Sequence, residues 1–145
     1  MFPDRSIWSN LGEEAMRFAR VIAAAAVAAF VGLSGAAHAA GDGDPAKGKK
    51  VFNKCKACHS ATAEKNKIGP HLVGIVGRKV ASVEGFKYSK ALKKAGEEGM
   101  VWTEENLAKW LKGPKKFIPG NRMPFAGLRK EQQIKDVIAY LKNPS

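Results

Sequence analysis

The chain has only two cysteines in its 145 residues, and both lie in one pentapeptide, Cys55-Lys56-Ala57-Cys58-His59. With no second pair to complete four ligands, a structural zinc site is excluded. No strand run precedes Cys55, which excludes a thioredoxin-like redox pair at a strand-to-helix junction. A simple disulfide would use both thiols but leave His59 unexplained. Acidic residues are scarce too: 13 Asp and Glu face 25 Lys and Arg, a formal charge of +12. No nucleic-acid-binding motif accompanies that charge, so it points to acidic protein surfaces as partners and not to nucleic acid. Internal repeats are absent, low complexity is confined to an alanine-rich N-terminal stretch, and no segment carries a strand period. The fold class is therefore all-α.

The pentapeptide has what covalent haem attachment requires. Each cysteine can add across one haem vinyl group to give a thioether, and the adjacent His59 then falls beneath the iron as an axial ligand. One haem c is the cofactor this implies.

The N-terminal region reads as an export signal. Met16-Arg17-Phe18-Ala19-Arg20 gives a positive start, residues 21–33 are apolar, and Ala37-His38-Ala39 is an A-x-A cleavage pattern. Cleavage is expected after Ala39 or Ala40. This assigns residues 1–39 to an N-terminal extension and signal peptide, and residues 40–145 to a single domain delivered to the periplasm. Asp4, Glu13 and Glu14 sit poorly ahead of a signal, which makes Met16 an alternative start. The competing reading is a retained membrane anchor, since residues 21–40 are nominally long enough for a bilayer core of about 30 Å. Residues 1–39 carry three basic and three acidic side chains, so cleavage leaves the charge at +12. A domain this small has a limited core, and folding is expected to be coupled to haem attachment.

Four to five helices are expected, joined by long loops. Asp44-Pro45 is an N-cap followed by proline in the first turn. The helix it opens places Gly48, Val51, Phe52 and Cys55 on one face, with the haem motif at its C-terminal end. Residues 60–87, rich in glycine, read as loop with at most one helical turn, and residues 89–95 as a short helix. Thr103 caps the next helix, with Glu104 and Glu105 in its first turn and Leu107, Trp110 and Leu111 as its apolar face. Gly113-Pro114 stops it, and residues 115–128 are expected to be irregular. The last helix, residues 130–142, shows Ile134, Val137, Ile138 and Leu141 at i, i+3, i+4 and i+7.

His71, Met100, Met123 and water are the candidates for the iron's sixth position. Pro124 holds Met123 extended in a restrained loop. An alternative use for a methionine is to fill a gap in the core. If Met123 has that role and the sixth position is open, the chain becomes a haem enzyme or gas sensor.

From residue 41 to 143 the sequence resembles a class I cytochrome c of the bacterial c-two and mitochondrial type. The resemblance rests on Gly48-Lys49-Lys50-Val51-Phe52, the haem pentapeptide, Gly69-Pro70-His71-Leu72, Gly77-Arg78-Lys79, Gly85-Phe86-Lys87-Tyr88 and Trp102. It continues through Lys115-Lys116-Phe117-Ile118-Pro119-Gly120, Met123-Pro124-Phe125-Ala126-Gly127 and Ile138-Ala139-Tyr140-Leu141. It implies a small cytochrome c fold wrapped around one haem, with Met123 as the sixth ligand and no enzymatic activity.

The resemblance also implies that the Pro70 carbonyl accepts a hydrogen bond from His59. Arg78, Tyr88 and Trp102 would serve the haem propionates, with Asn121 beside one of them, and Gly48 and Phe52 would pack on Tyr140. Lys54, Lys67, Lys115, Lys116, Arg122, Arg129 and Lys130, with Phe125 at their centre, would form a docking ring at the haem edge. The implied function is a soluble, monomeric carrier moving single electrons between membrane-associated complexes of a respiratory or photosynthetic chain. Its donor would be a quinol–cytochrome c oxidoreductase, and its acceptor a terminal oxidase, photosynthetic reaction centre or peroxidase. Trp110, Asn121 and Leu92 stand where the mitochondrial pattern has tyrosine, threonine and asparagine, and the interval from Tyr88 to Trp102 is longer.

Overall fold

The computed structural model describes residues 43–145. The expected signal peptide and its cleavage site lie outside the described residues. Among the described residues five helices follow one another: α1 (Pro45–Phe52), α2 (Lys90–Glu97), α3 (Glu104–Lys112), α4 (Pro114–Phe117) and α5 (Glu131–Lys142). A lone antiparallel bridge between Lys79 and Val101 is the only β pairing among the described residues.

Helix α1 starts where the sequence placed it. The Asp44 carboxylate accepts from the backbone N–H of Ala46 and Lys47 at 2.9 and 3.1 Å, and Pro45 needs no donor in the first turn. The helix then docks on α5 with unusual closeness. A Cβ built on Gly48 would lie 2.0 Å from the Asp136 carbonyl oxygen and 2.8 Å from the Tyr140 Cβ, so only glycine fits. Phe52 meets Tyr140 at 5.4 Å between ring centroids, in a tilted arrangement.

The expected apolar stripe of α5, Ile134, Val137, Ile138 and Leu141, is buried. Asp136 is buried with it, and its Oδ1 accepts from the Asp44 N–H at 2.8 Å and from Gln132 Nε2 at 2.9 Å. Helix α3 packs on α5 through Leu107, Trp110 and Leu111, and Thr103 caps it by accepting from the Asn106 N–H at 3.1 Å. Ser89 caps α2 through the Leu92 N–H at 3.2 Å.

One expectation needs correcting. Residues 115–117 are not irregular, because Gly113-Pro114 ends α3 and also starts the single turn of α4. Proline fixes φ and lacks a donor, which suits the first position of a helix as well as it stops the preceding one. Residues 118–128 are irregular, as expected.

Candidate haem-binding site

The turn after α1 brings the pentapeptide together. The Cys55 N–H donates to the Phe52 carbonyl at 2.8 Å, and the N–H groups of Cys58 and His59 both donate to the Cys55 carbonyl, at 3.0 and 2.9 Å. The next loop is laced to this turn by Gly69 N–H to Cys58 O at 2.9 Å and Leu72 N–H to Ser60 O at 2.7 Å. The lacing needs a glycine. A Cβ on Gly69 would fall 2.3 Å from the His59 Cε1, so the backbone lies directly against the imidazole. Sequence reading identified Gly69-Pro70 as a loop element but missed this packing role.

With the loop in that position, the Pro70 carbonyl oxygen lies 2.7 Å from His59 Nδ1. A carbonyl only accepts, so Nδ1 carries the proton and Nε2 keeps its lone pair. Burial also pushes the His59 pKa down and so favours the neutral ring, against the opposing pull of the Pro70 hydrogen bond. The Cys55 thiol is pushed up, first by burial and then by the neighbouring Cys58.

Both cysteines, His59 and Met123 line one cleft of about 440 Å³. Cofactor sites commonly fall between about 300 and 1,000 Å³ and are largely apolar, with a few placed polar groups. Here Leu72, Ile75, Leu107, Leu111, Val137 and Leu141 line the cleft, together with Trp102 and Trp110, whose rings lie 5.3 Å apart. Of the protein side chains considered for the sixth position, only Met123 lines this cleft. Met100 packs against the core, and His71 engages Arg78 and Asn66 through its backbone.

Arg78, Tyr88 and Trp102 also line the cleft. The Arg78 guanidinium is held by the Val73 and His71 carbonyls at 2.8 and 2.9 Å, and Trp102 N–H donates to Arg78 O at 2.8 Å, which keeps the two residues adjacent. The Tyr88 hydroxyl accepts from the Val83 N–H at 3.3 Å. Asn121 does not line the cleft. Its amide donates to the Pro114 and Ile118 carbonyls at 2.9 and 2.8 Å, and its Oδ1 accepts from Met123 N–H at 3.0 Å.

Of the expected docking residues, Lys54, Arg122 and Phe125 border the cleft, whereas Lys67, Lys115, Lys116, Arg129 and Lys130 are exposed but not part of its lining. Ile68, which sequence reading did not single out, lines the cleft at 76% exposure. The composition suits a flat apolar macrocycle. Thiols and an imidazole with a free lone pair lie on one wall, a thioether is available, and cationic and hydroxyl groups could face its carboxylates. Among the described residues no three His, Cys, Asp or Glu side chains cluster to hold a bare metal ion.

A family model described as cytochrome c matches residues 45–145. The chain belongs to the cytochrome c family. This cytochrome c is 54% identical over 99 residues to cytochrome c-550 of Ancylobacter novellus, covering 68% of this chain and 92% of that protein. It is 48% identical over 101 residues to a cytochrome c2 of Agrobacterium tumefaciens, covering 69% and 91%. Among solved structures it resembles cytochrome cH from Methylobacterium extorquens, with a TM-score of 0.64 and 46% identity, covering 69% of this chain and 98% of that one. The cytochrome c fold is small and all-α, the haem c is bound covalently, and Cys55 and Cys58 fit the attachment motif. The protein carries electrons and is not an enzyme.

Proposed function

We propose that this cytochrome c is a periplasmic, monomeric shuttle in which His59 Nε2 and the Met123 sulfur would hold the haem iron. The observation that carries the reading is the 2.7 Å contact of His59 Nδ1 with Pro70 O, which leaves Nε2 as the ring's donor atom, in a cleft that Met123 also lines. When bound, the haem supplies a one-electron couple, and thioether ligation favours its reduced state. Everything else falls to the chain. His59 keeps its proton on Nδ1, donated to the Pro70 carbonyl oxygen, and so presents one fixed tautomer. The aliphatic and indole lining excludes water, while Arg78, Tyr88 and Trp102 are available to the propionates, whose burial without partners would be costly.

Single electrons would pass from a quinol–cytochrome c oxidoreductase to a terminal oxidase, photosynthetic reaction centre or peroxidase. The basic residues around the cleft favour brief encounters with acidic partners. Export would follow cleavage of residues 1–39. An optical spectrum of the purified ferric protein tests the ligand pair: a weak far-red band from methionine-to-iron charge transfer is expected at neutral pH, and its absence would remove Met123.

A further inference from the structure

The loop that carries Met123 leaves α3 at Gly113 and returns at Leu128, and its ends are pinned together. Leu128 N–H donates to Leu111 O at 2.8 Å, and a Cβ on Gly127 would lie 2.3 Å from Lys112 O. Inside the loop, Asn121 braces the Pro114 and Ile118 carbonyls and receives the Met123 N–H, while the Phe125 N–H donates to Met123 O at 2.9 Å. All of these contacts are local or at the base of the loop. They set its shape but do not hold it against the part of the cleft wall formed elsewhere in the chain.

That wall includes Phe86 and Tyr88. Gly120 comes near α2 only loosely, since a Cβ there would lie 3.4 Å from Ala91. One contact is different: Arg122 Nη2 donates to the carbonyl oxygen of Lys87 at 2.5 Å, across 35 residues of sequence. Among the described residues it is the one hydrogen bond joining the methionine loop to this wall. Its donor is charged, which strengthens it, and its acceptor is a peptide oxygen whose position the fold sets. Arg122 also immediately precedes Met123, so the tie acts one residue from the sulfur.

We propose that Arg122 is a positioning residue, a strap that closes the methionine loop over the cleft and limits how readily Met123 yields its place to an incoming small ligand. The inference rests on the reading of Met123 as an iron ligand. The guanidinium keeps further donors beyond the one given to Lys87 O, so the strap is compatible with a place for exposed Arg122 among the docking residues at the cleft border.

Imidazole titration of the purified ferric haem protein, followed by loss of the far-red band, tests the strap. An outside ligand binds in proportion to the fraction of molecules whose loop is open. With one solvent-exposed hydrogen bond removed, Arg122→Ala should bind imidazole about three- to tenfold more tightly than the parent. Arg122→Lys should fall between the two. Lys87→Gln removes a positive charge from the same wall but leaves the carbonyl in place, and should titrate like the parent. Unchanged affinity in Arg122→Ala would overturn the strap, even if its melting temperature fell. So would a Lys87→Gln protein matching Arg122→Ala, because charge would then be the cause. A parent protein with no far-red band would refute the Met123 reading itself, a result separate from any difference between variants.

Discussion

The backbone N–H of Asp44 donates to the buried carboxylate of Asp136 at 2.8 Å, joining two residues 92 positions apart. The bond fastens the start of α1 to the middle of α5, and Gln132 satisfies the same oxygen from the side. Loss of the carboxylate leaves the part-buried Asp44 N–H without its protein acceptor, which adds a desolvation cost to the lost bond. Asp136→Ala should therefore destabilise the haem-loaded protein by about 1–3 kcal/mol, with Asp136→Asn retaining part of the difference. Urea denaturation of the three proteins measures it, and equal midpoints would show the joint to be dispensable.

Gly48→Ala sets two effects against each other. Alanine is the better helix former by about 1 kcal/mol. Its Cβ, however, would sit 2.0 Å from Asp136 O, against main chain that cannot rotate away. Overpacking of this kind typically costs about 1–3 kcal/mol, and a backbone clash lies at the upper end. A net loss of stability in denaturant is expected. A more stable variant would mean that the two helices can separate freely.

At Gly69 the obstacle is the His59 imidazole, 2.3 Å from where a Cβ would stand. Gly69→Ala should tilt or displace that ring and destabilise the haem-loaded form by about 2 kcal/mol. The change should appear in the visible spectrum as well as in the melting curve. A parent-like spectrum with parent-like melting would show that the loop has room to retreat.

Lys115 and Lys116 are exposed on the surface of α4. Reversing both charges should slow electron transfer with the proposed donor, a quinol–cytochrome c oxidoreductase, by about tenfold at low ionic strength. The deficit should shrink above about 0.3 M salt, where charges more than a few ångströms apart are screened. Stopped-flow rates measured across a salt series decide the matter, and identical curves would remove α4 from the docking face.

Elements set by neighbouring residues were legible in the sequence. Asp44 and Thr103 cap the helices they precede, and the α3 and α5 stripes face inward, because caps and periodicities are short-range. Asp136 was not legible: within an apolar stripe a carboxylate looks like a solvent-facing position, and only a partner 92 residues away gives it a reason to be buried. Helix α4 was missed because Gly-Pro reads as a stop and carries no separate mark for a restart. Family resemblance set Asn121 beside a propionate but gave no sign that its amide also braces the carbonyls of its own loop. Arg122 looked like one basic surface residue among many, because a bond to a main-chain oxygen has no residue-type signature at the accepting end.

The oxygen that fixes the His59 proton belongs to a peptide unit, so no change of side chain at position 70 can delete it. Such a device is resistant to mutation at its own locus and vulnerable only to changes that reroute the main chain. Inheritance of the correct tautomer is thereby tied to inheritance of a path through space, and neighbouring Gly69 is where that path is most easily lost.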